Sequence, residues 1–425
     1  MNKGNWNRRT WLTQTALLSA LCWLLSPTAW AGDWTEWRGP GGQGISTEKA
    51  PPLEWSQEKN VRWKVKLDGR GNSTPIVVGD QVLITHAPEK SLQRGLICFD
   101  RNTGAERWKH AVECSVEEKT HSTNPYCAAS PVTDGERVVA WYGSAGLFAY
   151  DLSGKVLWQK DLGVFEHIWG YASSPVLVDD LVILSAGPGL NAFVAAFKKS
   201  DGSEVWRKDF PGLQSSTVEE LRGSWSTPVI IPEGGRQVML LSMPQKLYAV
   251  DPKTGAELWS CGGLSNLVFT SPLADNETAV AMSGYNGPAI AVKLGGAGDV
   301  TEANRLWHHT KKNPQRVGSG VLTGGKIFIL NEPGIFWCLD AKSGEKHWGE
   351  RLGSGNAWSS TVLVDGRLYS TNSKGTTFVL EPSTEGCKIL AENEMGEQTH
   401  ASLAFSNGQV FIRTFQHLYC FEAAK

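Results

Sequence analysis

What this 425-residue chain does not contain excludes several kinds of chemistry. It has no Cys-x-x-Cys and no histidine pair four apart on a helix, which leaves a zinc site without support. It has no Gly-x-Ser-x-Gly elbow followed by a helix, so nothing argues for a serine hydrolase. Gly187-Pro188-Gly189 and the group Gly295, Gly296 and Gly298 lack the strand-to-helix setting of a phosphate loop and are turn chemistry. His308-His309 follows a Trp and precedes Lys311-Lys312, a setting expected of an exposed polar loop. The 41 Lys and Arg, three of them near the start, face 43 Asp and Glu. No basic stripe exists to neutralise phosphates, which argues against nucleic-acid binding. No helical period follows residue 31, and no later apolar run is long enough to span a membrane.

The first 31 residues have the form of an export signal. Lys3, Arg8 and Arg9 supply positive charge, Ala16 to Leu25 an apolar stretch, and Ala29-Trp30-Ala31 a small-x-small cleavage site. Arg8-Arg9-Thr10-Trp11-Leu12 resembles a twin-arginine signal, and the general secretory route fits equally. Leu21 precedes Cys22 where a lipid anchor wants a small residue. A periplasmic or extracellular protein is expected, with partners, protein or small molecule, outside the cytoplasm and no transmembrane segment after cleavage.

With 46 glycines and 19 tryptophans, the chain is rich in turns and large aromatics. They fall in one recurring phrase: a small residue, any residue, Asp, a short turn with Gly, then Trp. Cys98 to Trp108, Ala149 to Trp158, Ala249 to Trp259 and Cys338 to Trp348 are its clear copies, with looser ones ending at Trp206, Trp307 and Leu390. Together with Trp63 these anchors recur every 41 to 53 residues. Short β-branched runs separated by Gly, Asp and Asn turns at that period mark a β-propeller of four-stranded antiparallel blades. The Asp and Gly build the turn. Trp63, Trp108, Trp158, Trp206, Trp259, Trp307 and Trp348 are expected to dock between blades rather than to meet a ligand.

Eight blade openings align: Ser73-Thr74-Pro75, Ala129-Ser130-Pro131, Ser173-Ser174-Pro175, Ser226-Thr227-Pro228, Thr270-Ser271-Pro272, and degenerate versions centred on Ser319, Ser360 and Ser402. The last repeat ends without its Trp strand, whereas Asn60 to Val65 carries an orphan Trp63 ahead of the first. An eight-bladed all-β propeller closed by an N-terminal strand accounts for both, and closure removes free sheet edges. The expected organisation is a signal at 1–31, an extension at 32–59 and a propeller at 60–425. Cys98, Cys338 and Cys420 sit at the small position of the phrase and are expected to be buried free thiols. Cys114 and Cys127 share one long connection and are candidates for a disulfide.

The pattern Ala-x-Asp-x-x-Thr-Gly-x-x-x-Trp, clearest at Ala249 to Trp259, resembles the repeat of pyrroloquinoline-quinone (PQQ) propellers over residues 60 to 425. Trp37-Arg38-Gly39-Pro40, Thr123-Asn124-Pro125-Tyr126 and Leu330 to Gly334 are similar to stretches of the short exported PQQ-like proteins of planctomycete-type bacteria. The resemblance covers two kinds of protein. Quinoprotein alcohol dehydrogenases hold PQQ and Ca²⁺ over the channel; others, such as the outer-membrane assembly lipoprotein, bind proteins without catalysis. This chain lacks the adjacent cysteine pair that characterises the dehydrogenases, and it is shorter than they are.

Function is expected where residues exceed what a blade requires. The residue two before each central Ser or Thr forms a column: Asn72, Ala128, Ala172, Trp225, Phe269, Val317, Trp358 and His400. Periodicity brings this column to one end of the channel, with His121, Asn124, Trp169, Tyr171, Gln315 and Arg316 nearby. Asn72, His121, Asn124, Trp169, Tyr171, Trp225, Arg316, Trp358 and His400 are therefore candidates to bind a planar or anionic ligand, the aromatics by stacking and Arg316 by its charged fork. The leading expectation is a non-catalytic binding or scaffold propeller with no catalytic residue and no metal assigned. The alternatives are a PQQ- and calcium-dependent oxidoreductase acting on alcohols or sugars, and a carbohydrate-binding propeller.

Overall fold

Strand burial is graded within each repeat. Leu181–Ala186 and Phe193–Lys198 are buried on both faces almost throughout, whereas Glu204–Lys208 is mainly exposed, with Trp206 turned inward. Inner strands are sandwiched between neighbouring sheets, so both faces must be apolar, and the outermost strand meets water. The computed structural model describes Met1 and residues 32–311, 313–314 and 317–423. Residues 2–31, where an export signal is expected, and Gln315 and Arg316 lie outside the described residues. The chain forms eight four-stranded antiparallel blades. Blades 1 to 7 occupy residues 76–113, 132–160, 176–208, 229–262, 273–309, 321–351 and 362–394. Blade 8 combines Ala404–Ser406, Gln409–Arg413 and His417–Glu422 with Val61–Lys66, whose Trp63 lies opposite Cys420.

The recurring phrase has a tertiary meaning. Each inward Trp faces a small residue on the neighbouring strand: Cys98 for Trp108, Ala149 for Trp158, Ala196 for Trp206, Ala249 for Trp259, Ala291 for Trp307 and Cys338 for Trp348. A register shift beside each of these pairs re-aims the Trp. The indole then lies on the turn glycine of the next blade. A Cβ on Gly104, Gly154, Gly202 or Gly255 would come within 2.6–2.8 Å of Trp63, Trp108, Trp158 or Trp206 respectively. The indole N–H completes the dock by donating to a carbonyl in that turn, as Trp63 does to Arg101 at 2.7 Å and Trp206 to Pro252 at 3.0 Å. Trp259 instead donates to the Glu233 carboxylate at 3.2 Å. In blade 7 the register puts Ala391, not the expected Leu390, at the Trp position opposite Val379, and Trp55 of the extension supplies the missing aromatic, stacked between Tyr369 and Phe421.

Hydrogen bonds along the channel close the ring. The amide of Thr74 donates to Ser130 Oγ, Ser130 to Ser174, Ser174 to Thr227 and Thr227 to Ser271, at 2.9–3.0 Å. Ser271 continues to Ser319, Ser319 to Ser360 and Ser360 to Ser402, each at 3.0 Å, and Ser402 returns to Thr74 at 3.2 Å. The extension seals the opposite end. Trp34 pairs with Val77 of blade 1, Thr35 accepts from Thr133 of blade 2, and Ile45–Ser46 runs parallel to Leu363 and Val364 of blade 7. Gln43 accepts from Ala274 of blade 5, and the buried Arg38 guanidinium donates to the Gly320 carbonyl of blade 6.

Two expectations are corrected. Cys114 and Cys127 are free buried thiols rather than a disulfide. Cys127 Sγ turns into the blade 1–2 core, 3.1 Å from the His86 carbonyl, while Cys114 ends the outer strand region with its amide on Leu92. His308 and His309 belong to the outer strand Arg305–His309, not to a loop; His309 packs on Trp307 with rings 4.6 Å apart. No described helix is long and apolar enough to cross a membrane.

Candidate functional site

Each blade's innermost strand begins at the same end of the channel, so the residues entering those strands form a circle. A cavity of about 230 Å³ lies inside that circle, and all eight column positions line it. Its floor is Trp37, carried on the sealing extension, and the hydroxyl-bearing residues Ser174, Thr227, Ser360 and Ser402 line its depth. A more open groove of about 320 Å³ adjoins it at His121, bordered by Arg70, Glu89 and Lys90.

One wall is aromatic. Trp225 stacks on Phe269 with centroids 4.7 Å apart, Trp169 lies 5.8 Å from Trp225, and Tyr285 stacks 5.9 Å from Trp169. The wall is pinned rather than adaptable. Trp225 Nε1 donates to the Gly170 carbonyl at 2.9 Å, and the His167 ring meets Trp225 edge-on at 4.9 Å. Burial pushes the His167 pKa down, against the opposing effect of its bond to the Glu220 carbonyl, so a neutral ring supports the wall.

The opposite side is polar. Asn72 Nδ2 donates to the Thr123 carbonyl at 3.0 Å and to Asn124 Oδ1 at 3.3 Å, while Asn72 Oδ1 is buried without a protein donor. Asn124 Nδ2 is spent on the Trp169 and Tyr171 carbonyls at 2.7 and 3.1 Å, so Asn124 braces two loops together. His400 stacks on Trp358 at 4.9 Å, and its Nδ1 contacts the Thr123 carbonyl at 2.9 Å. A carbonyl only accepts, so Nδ1 carries the proton and Nε2 keeps a lone pair. Burial, helped by the Arg70 charge, pushes the His400 pKa down, against the bond to Thr123. The ring is neutral at pH 7.

Of the nine sequence candidates, Asn72, His121, Asn124, Trp169, Trp225, Trp358 and His400 meet at this cavity. Tyr171 does not. In the connection ahead of Val176–Val178, Ala172 faces the channel while Tyr171 turns into the blade 2–3 core, 4.6 Å from Trp141. Arg316 lies outside the described residues. Trp37 and Tyr285 were missed by sequence reasoning. Trp37 comes from outside the repeat, and Tyr285 sits in a strand-two to strand-three hairpin; that these hairpins rise on the same end as the column was the signal available.

A family profile described as "Outer membrane protein assembly factor BamB" matches residues 53–159 and 93–350. The chain belongs to this family of PQQ-repeat propellers. The BamB of Burkholderia pseudomallei is 22% identical over 343 residues, 70% of this chain and 80% of that protein. The BamB of Alkalilimnicola ehrlichii is 24% identical over 153 residues, 34% of this chain and only about a third (35%) of that relative's length. Among solved structures, the quinohemoprotein alcohol dehydrogenase of Comamonas testosteroni superposes with a TM-score of 0.65 at 12% identity, covering 93% of this chain and 81% of that one. At that identity the likeness is one of fold.

PQQ-repeat membership raises the cofactor expected from sequence. Calcium takes six to eight oxygen ligands, usually with carboxylates among them. Among the described residues no Asp or Glu lines the cavity, and none group as three His, Cys, Asp or Glu side chains fit to hold a metal. PQQ bears carboxylates, and the described lining includes no Lys or Arg to pair with them. The described lining residues do not fit the PQQ–calcium pair.

Proposed function

We propose that this PQQ-repeat propeller is an exported binding protein that holds a ligand, or a projecting group of a partner, in the mouth of its channel without catalysis. One observation carries the reading: eight positions that the blade leaves free converge on a single floored cavity with an aromatic wall and a neutral polar wall. Aromatic faces with a few placed polar groups are the composition of a binding site. The export segment read from Lys3 to Ala31 supports a location outside the cytoplasm.

Calorimetric titration of the mature protein against a panel of neutral glycans, aromatic acids and peptides tests the proposal. Saturable binding that Trp225→Ala abolishes is the expected result. Stoichiometric binding of PQQ with Ca²⁺, accompanied by dye-linked alcohol oxidation, would overturn it.

A further inference from the structure

The hydroxyls lining the channel have an unspent capacity. In each link of the ring an amide N–H, which can only donate, occupies a lone pair of the hydroxyl oxygen, as Ser130 N does at Ser174 and Ser174 N at Thr227. The hydroxyl proton is not needed for that bond and has no acceptor among the described residues in any of the eight links. All eight residues are at least nine-tenths buried, and Ser174, Thr227, Ser360 and Ser402 line the cavity. The depth of the cavity therefore presents neutral donors. Its side presents neutral acceptors: Asn72 Oδ1, buried without a donor, and the Nε2 lone pair of His400.

These features narrow the ligand. A charged group would lose its hydration with no opposite charge among the described lining residues, a cost of several kcal/mol or more. A wholly apolar group would leave buried donors and acceptors unpaired, at about 1–3 kcal/mol each. What remains is a ring with an apolar C–H face for Trp169, Trp225 and Phe269 and uncharged hydroxyls on its edge that both accept and donate. Resting on the binding reading above, we propose that the cavity takes the neutral terminal pyranose of a glycan, its ring face against the aromatic wall and its hydroxyls between the channel hydroxyls and Asn72.

Calorimetry on the mature protein with neutral monosaccharides and neutral and acidic oligosaccharides tests this, beside Trp169→Ala and Asn72→Ala variants whose melting temperature stays near that of the parent. The expected result is saturable binding of a neutral sugar, weakened at least tenfold by either variant, with acidic sugars excluded. If aromatic acids or peptides bind in a Trp169-dependent way and no sugar does, the sugar assignment falls and the binding reading stands. If no class binds, both fall. A neutral sugar that binds equally to parent and Asn72→Ala protein also overturns the proposed pose.

Discussion

The amide of Ser402 donates to Thr74 Oγ1 at 3.2 Å, across 328 positions of sequence, and this bond joins the last blade to the first. It completes a circle in which every blade opening is both donor and acceptor. Both residues are buried, so the bond has no water to replace it. Thr74→Val keeps the shape and removes the acceptor. It should cost about 1–3 kcal/mol, the penalty of a buried unpaired N–H, read as a lower urea midpoint. Thr74→Ser keeps the hydroxyl acceptor and should recover most of that stability; equal midpoints for Val and Thr would dismiss the clasp.

The Trp and Gly of the phrase act across blades, and glycine substitutions separate the two reasons for the glycine. Gly255 has φ +69° and a Cβ there would meet the Trp206 ring at 2.8 Å, whereas Gly79 has φ +54° with open space around it. Gly79→Ala should cost only the left-handed backbone term of about 1–2 kcal/mol. Gly255→Ala should add about 1–3 kcal/mol from overpacking. Equal losses in thermal denaturation would mean that the indole does not press on the turn.

Trp55 supplies the aromatic that blade 7 lacks at Ala391 and is 2% exposed. Its backbone N–H donates to Asn393 Oδ1 at 2.8 Å, anchoring the extension to blade 7. Trp55→Ala should destabilise by about 3–5 kcal/mol. A change under 1 kcal/mol in the denaturation midpoint analysis would show the extension to be incidental to blades 7 and 8.

The closing strand is also held by charge. Glu397 accepts from Tyr419 at 2.7 Å and Thr414 at 2.5 Å, meets His417 Nδ1 at 3.0 Å, and pairs with Lys64 of the closing strand at 3.4 Å. Burial alone would raise its pKa, but the hydrogen bonds from Thr414, Tyr419 and His417 outweigh it and hold the carboxyl below 4.5. A carboxylate with a depressed folded-state pKa contributes stability above its unfolded value and loses it as pH falls through the folded one. The parent should therefore lose stability on acidification below about pH 4.5 more steeply than Glu397→Gln. Parallel pH profiles of the urea midpoint would refute this.

Removing residues 33–66 deletes the floor, Trp55 and the fourth strand of blade 8 together. The exposed edge of His417–Glu422 would then invite pairing between chains. Aggregated or unfolded protein is expected in size-exclusion chromatography, and a soluble truncation with a cooperative melt would sink the closure described above.

The ring was legible in the sequence because a propeller repeats its local rules. Each Asp-Gly turn, small residue and Trp is dictated by the same contacts within one blade and its neighbour, so period and phrase alone predict eight blades and the strand that closes them. The column from Asn72 to His400 was legible for the same reason: equal offsets in a cyclic repeat become one circle. Tyr171 was misread because adjacent residues of the connection ahead of Val176–Val178 face opposite ways, Ala172 to the channel and Tyr171 to the core. Cys114 and Cys127 shared a connection but not a direction, since sequence proximity says nothing of where a thiol points.

Only the tertiary structure decided what depends on residues far apart in sequence meeting without a repeat to announce them. Trp37 became the floor of the cavity because the extension pairs with blades it has no periodic relation to, and Trp55 stands in for the Trp that blade 7 lacks at Ala391 for the same reason. The unspent protons of Ser174 and its partners followed from knowing that another blade's amide occupies each hydroxyl oxygen. Local, repeated interactions write themselves into sequence as a pattern; single long-range contacts occur once, and leave none.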